Sequence, residues 1–190
     1  MPEFCNPIAG NIQSNACVST KGGLIRSIYG ANLGEIDTTT VSGGIVTAIT
    51  MKTNPITTTP YHWYNITPKK QTSGINNVAQ IGTNTRFWNQ ELDFETIGMD
   101  TANKNAFGEL INGQAVFIGQ DANQLRHMMG HVSGAEMTEG AIGTGIVVDD
   151  LVGGKAKFLA QETFVTPTVQ SGIVISVLAE DGVTIESITL

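Results

Sequence analysis

Several groups of residues in this sequence have types and spacings that chemistry could use. His127 and His131 stand four apart, the separation at which two imidazoles on a helix share a metal ion. The intervening Met128-Met129-Gly130 reads as strand, where that spacing leaves the rings on one face but too far apart for a common ion. No Glu follows the first His, so solvated or hydrogen-bonded histidines are the reading. Glu91, Asp93 and Glu95 alternate along one stretch and would share a strand face, as a glycosidase carboxylate pair does. An antiparallel strand with one wet face produces the same pattern without catalysis. His62-Trp63-Tyr64 has the makings of a sugar-stacking platform, and equally of an aromatic anchor in a subunit contact; the anchor is the preferred reading. Asp149-Asp150 with Asp121 and Asn123 offers oxygens for calcium, but no loop has the Asp-x-Asp-x-Asp-Gly order. Gly140-Ala141-Ile142-Gly143-Thr144-Gly145 has no phosphate-loop Lys and reads as a glycine-rich bend. No enzyme activity, cofactor, metal or catalytic residue is expected.

Composition points the same way. Of 190 residues, 41% are hydrophobic and only 14% charged, where about 25% charged is usual for soluble domains. Gly, Thr, Asn, Ser and Gln fill the gap, giving a polar surface with few charges. Such a surface suits contact with other subunits, because interface cores are depleted of charge. The alternative is a secreted β-protein with a neutral surface. The net charge of −7 excludes a nucleic-acid clamp, which needs clustered Lys and Arg. The charge is also unevenly spread. Residues 1–90 hold six basic and three acidic side chains, net +3, and residues 91–190 hold four and fourteen, net −10. Cys5 and Cys17 are the only cysteines, too few for a disulfide framework, and are expected reduced. Met1-Pro2-Glu3 opens without a basic stretch and no apolar run follows, so synthesis and folding in a cytoplasm are expected. No run approaches the ~20 apolar residues of a membrane helix.

The elements that must position these groups are mostly strands. The stretch Gly98–Gly119 holds the one convincing amphipathic helix and runs directly into a strand. Asp100 or Thr101 would cap the first turn. Ala102, Ala106 and Leu110, with Phe107 and Ile111, form an apolar stripe at helical spacing. Asn112-Gly113 would end it, and Ala115-Val116-Phe117-Ile118 reads as a buried strand. Residues 1–20 read as a polar N-terminal arm, and 21–190 as a single β domain. Gly23–Leu33 and Ile45–Met51 read as an antiparallel pair. Residues 52–86, broken by Pro55, Pro60 and Pro68, read as an extended loop docking on something. A long half-buried strand starts near Thr85 and carries Phe87, Asn89, Glu91, Asp93 and Glu95 on one face, Trp88, Leu92 and Phe94 on the other. A strand at Leu125–Val132 follows. Val152-Gly153-Gly154 and Glu180-Asp181-Gly182 signal two hairpins, the second within residues 173–190. The expectation is a mainly β fold of about nine strands, a sandwich or barrel with one helix on a sheet.

From Phe87 onward the order of elements resembles a known family. An acidic strand (FWNQELDFE), a short helix (DTANKNAFGELING), a strand (QAVFIG), an Asp-Ala-Asn turn, a glycine-marked strand (MMGHVSG) and a two-strand finish (GTGIVVDDLVGGKAKFLAQETF) are similar to the tail tube proteins of tailed phages and related tail and connector rings. The opening CNPIAGNIQSNAC…GGLIRSIYGANLGEI is also similar to structural proteins of phages infecting Bacteroidetes. The resemblance covers roughly residues 20–165 as a pattern of elements, and the hairpin at 173–190 departs from it. It implies a virion subunit, made in the host cytoplasm, that forms six-fold stacked rings with DNA passing through the lumen unbound. A loop reaching the next ring would be residues 52–86. Its contacts would come from Tyr61, His62, Trp63 and Tyr64 and from the cations Lys52, Lys69, Lys70 and Arg86. Glu136, Glu139, Asp149 and Asp150 of the next ring would receive them, with Glu91, Asp93 and Glu95 toward lumen or solvent. A capsid decoration or head-tail connector ring shares this logic. A carbohydrate-binding jelly-roll, with Trp63 and Trp88 as platforms, is the rival of another class.

Overall fold

The run Ala115-Val116-Phe117-Ile118 forms the start of strand β7 (Ala115–Asp121) and is buried on both faces. Ala115 and Phe117 belong to one apolar cluster, Val116 and Ile118 to another. A strand covered on both sides needs apolar residues at every position, which is why the run does not alternate. The structure, a computed structural model, describes residues 23–69, 71–83, 85–98, 101–143, 152–179 and 184–190. The arm at 1–20 with Cys5 and Cys17, and also Lys70, Asp100, Asp149 and Asp150, lies outside the described residues.

Two sheets account for nearly all the regular structure. The first five strands are β1 (Leu24–Asn32), β2 (Ile36–Ser42), β3 (Ile45–Met51), β4 (Trp63–Ile66) and β5 (Gly74–Ile81). Strand β6 (Arg86–Ile97) leads to helix α1 (Thr101–Leu110) and β7. Then follow β8 (Arg126–Met129), β9 (Glu136–Gly143), β10 (Gly153–Glu162), β11 (Thr168–Val169), β12 (Val174–Leu178) and β13 (Ile185–Thr189). A curled nine-stranded sheet has the order β13-β12-β4-β1-β7-β8-β11-β3-β2, and a four-stranded sheet the order β5-β6-β10-β9. The fold is therefore mainly β, a sandwich or barrel with one short helix, as the sequence suggested.

Between the sheets, Phe117 of β7 meets Phe158 of β10 edge-on, with ring centroids 4.7 Å apart. Phe94 of β6 stacks on Phe158 from the other side at 6.0 Å. Helix α1 adds Phe107, 6.3 Å from Phe94, and half-buried Leu110. The second cluster fills the concave side of the curled sheet, where Trp63, Val116, Ile118, Met128, Val177 and Leu190 are almost wholly buried.

Four local expectations are corrected, and one strand had none. Strands β1 and β3 are not partners: β1 lies between β4 and β7, and β3 pairs with β2. Strand β2 (IDTTTVS) carried no periodic signal because it sits at the sheet's edge, with Ile36 its one buried residue. Gly153 and Gly154 are not a hairpin turn but the first residues of β10, opposite Ile97 and Thr96. A side chain at Gly154 would run into the Phe107 ring, and one at Gly153 into the Thr96 carbonyl, so both glycines serve close approach. Gly140–Gly143 is not a bend but the end of edge strand β9. Ile111 is 65% exposed and lies past the end of α1, so the buried stripe stops at Leu110.

Candidate assembly surfaces

Residues 52–86 are not one extended loop, because two of the strands fall inside them. Strand β4 is inserted in the large sheet between β1 and β12, antiparallel to the first and parallel to the second. Strand β5 forms one edge of the small sheet, paired with β6 from Gly74↔Asp93 to Ile81↔Arg86. The longest irregular part is the turn at 52–62, held by Asn54, whose Oδ1 accepts the Ile56 amide at 2.8 Å, and by Tyr61 N donating to Lys52 O at 2.9 Å.

The aromatic run divides accordingly. Trp63 is fully buried among the concave core, so it is a core residue and neither an interface anchor nor a sugar platform. Strand alternation sends its neighbours the other way: Tyr64 is 44% exposed, and the His62 ring lies 5.0 Å from the Tyr64 ring. Tyr61 is half-buried. Burial, with Glu35 and Glu109 nearby, raises the Tyr64 phenol above its ordinary value.

The cations do not gather either. Lys52 is exposed, with its Nζ donating to Gly34 O at 2.7 Å. Lys69 is exposed, and its amide binds Glu95 O at the far end of β6 from Arg86. Those two ends are nine residues apart, roughly 30 Å in extended chain. A single basic arm built from these residues is therefore corrected to separate surface cations.

Glu91, Asp93 and Glu95 do share the outward face of β6, all half-buried. They are not alone there. Lys155 and Lys157 of β10 sit opposite Glu95 and Asp93. Lys155 Nζ is 3.9 Å from Glu95 and Lys157 Nζ 3.5 Å from Glu91. Glu139 of β9 flanks Lys157 in register, and Glu136 accepts from Gln114 Nε2 at 3.0 Å. The face is mixed rather than plainly acidic, with acids in excess. Such exposed pairs contribute at most about 1 kcal/mol each.

The two central histidines have different neighbours. His127 Nε2 lies 3.2 Å from Asp121 Oδ2. Burial raises the Asp121 carboxyl, but hydrogen bonds from His127, Leu125 and Asn123 outweigh it and hold the group below its ordinary value. His131 packs its ring 5.9 Å from Phe164, and burial lowers its imidazole against the opposing pull of Glu162. Among the described residues no group of three His, Cys, Asp or Glu is placed to hold a metal ion, and no helix is long and apolar enough to cross a membrane.

A polar knot beneath His131 escaped the sequence reading. Gln90 is wholly buried; its Oε1 accepts the Gly130 amide and its Nε2 donates to Phe164 O, each at 3.0 Å. Glu162, 3% exposed, accepts the Val132 and Ser133 amides at 3.0 Å through one oxygen. The signal was present: Gln90 shares the parity of Leu92 and Phe94 along β6, so it had to point inward. Together these two side chains hold the 130–134 turn against the 164–167 segment. The turn and that segment wall a groove of about 740 Å³ whose other side is β2.

Set against known proteins, the chain matches no family model, no curated protein and no solved structure.

Proposed function

We propose that this chain is a non-enzymatic structural subunit that joins copies of itself into stacked rings, the tail tube of a tailed phage, with DNA passing through the lumen. The observation that carries this reading is the four-stranded sheet with two open edges. Strand β5 (GINNVAQI) has eight residues, no charge and no proline, and its last six residues are exposed. Strand β9 forms the opposite edge and is equally exposed. A long, uncharged, unprotected edge is a liability in a monomer, because its free backbone groups template further pairing. Joining β5 of one copy to β9 of the next covers both edges. The contact is head-to-tail, which closes into a ring when the rotation per copy allows it.

A ring built this way presents the β6–β10 face on a continuous wall. Glu91, Asp93, Glu95 and Glu139 outnumber Lys155 and Lys157 on that face, which would discourage phosphate from sticking. The low overall charge of the chain fits a surface largely spent on neighbours.

Electron microscopy and sedimentation of the purified chain test the proposal. Rings or tubes are expected for the wild-type sequence. Val78→Lys with Ile81→Lys, which places charge on the β5 edge, should leave folded monomers. A wild-type chain that stays monomeric at high concentration overturns the reading.

A further inference from the structure

The turn between helix α1 and strand β7 carries the one Asn-Gly pair in the sequence, Asn112-Gly113. Both residues are exposed. Asn112 N donates to Glu109 O at 3.2 Å, which ties the turn to the orphan carbonyls of the helix end. Beyond that the pair is free. Among the described residues, neither the Asn112 side-chain amide nor the Gly113 backbone N–H has a hydrogen-bond partner. An unbonded side-chain amide thus lies next to a backbone nitrogen that no Cβ shields. The other described asparagines are held. Asn65, Asn76, Asn77 and Asn89 sit in strands, and Asn103 and Asn105 in the helix. Asn32 and Asn123 bond through their side chains to Glu35 and Asp121. Asn54 precedes Pro55, which has no N–H to offer.

We propose that Asn112 is a site of spontaneous deamidation, converting to aspartate and isoaspartate as the protein ages. The Gly113 nitrogen attacks Asn112 Cγ and loses its proton to water. Its bond to Cγ forms as the Cγ–Nδ2 bond breaks, and ammonia leaves. Glycine permits the bend that this ring closure needs, because it accepts backbone angles that other residues avoid. Water then opens the cyclic imide at either carbonyl, giving aspartate or isoaspartate. The position gives the product its effect. Helix α1 has no basic residue in its last turn, where Glu109 already stands. The C-terminus of a helix carries partial negative charge, so a new carboxylate just past Leu110 is repelled by both. Isoaspartate also lengthens the main chain between α1 and the buried start of β7. Conversion therefore loosens the helix end that sets Phe107 and Leu110 on the core.

Peptide mapping by mass spectrometry, on the full-length chain aged at mildly alkaline pH, tests this. Asn112 should convert several-fold faster than any other described asparagine, with both products present. Gly113→Ala is the control. A Cβ at 113 would meet only Asn32 Oδ1, at 3.8 Å, and Gly113 is not left-handed. The variant should therefore keep the fold while its methyl group shields the nitrogen, and conversion should fall several-fold. Asn112→Gln, whose longer side chain would have to close a larger ring, should likewise stay intact. The amides of Gly108–Leu110 should exchange faster in the aged wild type and not in the aged Gly113→Ala chain. An Asn112 that stays intact in the folded chain, while a free peptide of the same sequence converts, overturns the proposal. So does equal conversion in the wild type and Gly113→Ala. Helix-end exchange that conversion leaves unmoved overturns the loosening.

Discussion

Strands β5 and β7 look alike in sequence and meet opposite fates. GINNVAQI carries no charge and AVFIGQD one, at its last residue. Yet β7 lies mid-sheet with its first five residues buried, whereas six of the eight residues of β5 are exposed at an edge. For β7 the missing charge is explained within the subunit, by cores on both faces. For β5, whose Asn77 bonds to Thr166, no burial among the described residues accounts for it. Absence of charge thus accompanies two different placements here, burial in β7 and an exposed edge in β5, and only the structure tells them apart.

The contrast can be broken most forcefully at its buried side. Phe117→Ala in β7 removes the ring that joins the two sheets through Phe158, and should cost about 3–5 kcal/mol of unfolding free energy by denaturant titration. Next is Gly154→Ala, whose new methyl would meet the Phe107 ring; overpacking of this kind costs about 1–3 kcal/mol. It should be partly relieved by Phe107→Leu, and a double-mutant cycle would measure that coupling. The pH dependence comes third. Burial holds the folded His131 below its ordinary value, so the folded state resists its protonation. Its contribution is full above a pH of about 6.5, the unfolded value, and is lost as pH falls through the lower folded value. His131→Gln should flatten the stability profile on that acid side, read by thermal melts across the range. At the exposed side, Val78→Lys should shift stability by no more than about 0.5 kcal/mol while changing assembly. A fold that fails with that substitution would mean β5 is as much core as β7, and the comparison would collapse.

The sequence showed the fold class and the helix followed by its buried strand, because both rest on local periodicity. It also showed that Glu91, Asp93 and Glu95 share one face of β6, and the hairpin of β12 and β13. It missed β2 because an edge strand with one buried residue leaves no periodic signal. Gly153 and Gly154 were misread because a glycine pair looks the same in a turn as beneath a packed ring. The aromatic run was misread because parity within β4, fixed only by its neighbours β1 and β12, decides that Trp63 points inward while Tyr64 does not. The candidate site was less legible still. The groove draws on four separate stretches, residues 33–44, 131–132, 164–165 and 167, and no spacing along the chain announces their meeting.

The placement of β4 has a consequence for how the chain reaches this structure. Trp63 is opposite Val177 in the parallel β4–β12 pair, and Ile175, Val177 and Leu190 complete the cluster around it. One wall of that pocket is therefore supplied more than a hundred residues after the indole. During synthesis that side of Trp63 stays uncovered until the last strands emerge, and closing so long a loop is slow, on the order of milliseconds to seconds for sheets of this kind. In a Trp88→Phe variant, which leaves Trp63 as the one indole, fluorescence should accordingly change late, after the β6–β10 pairing is complete. Until then the nascent chain carries a large apolar side chain that any earlier-finished neighbour can bind.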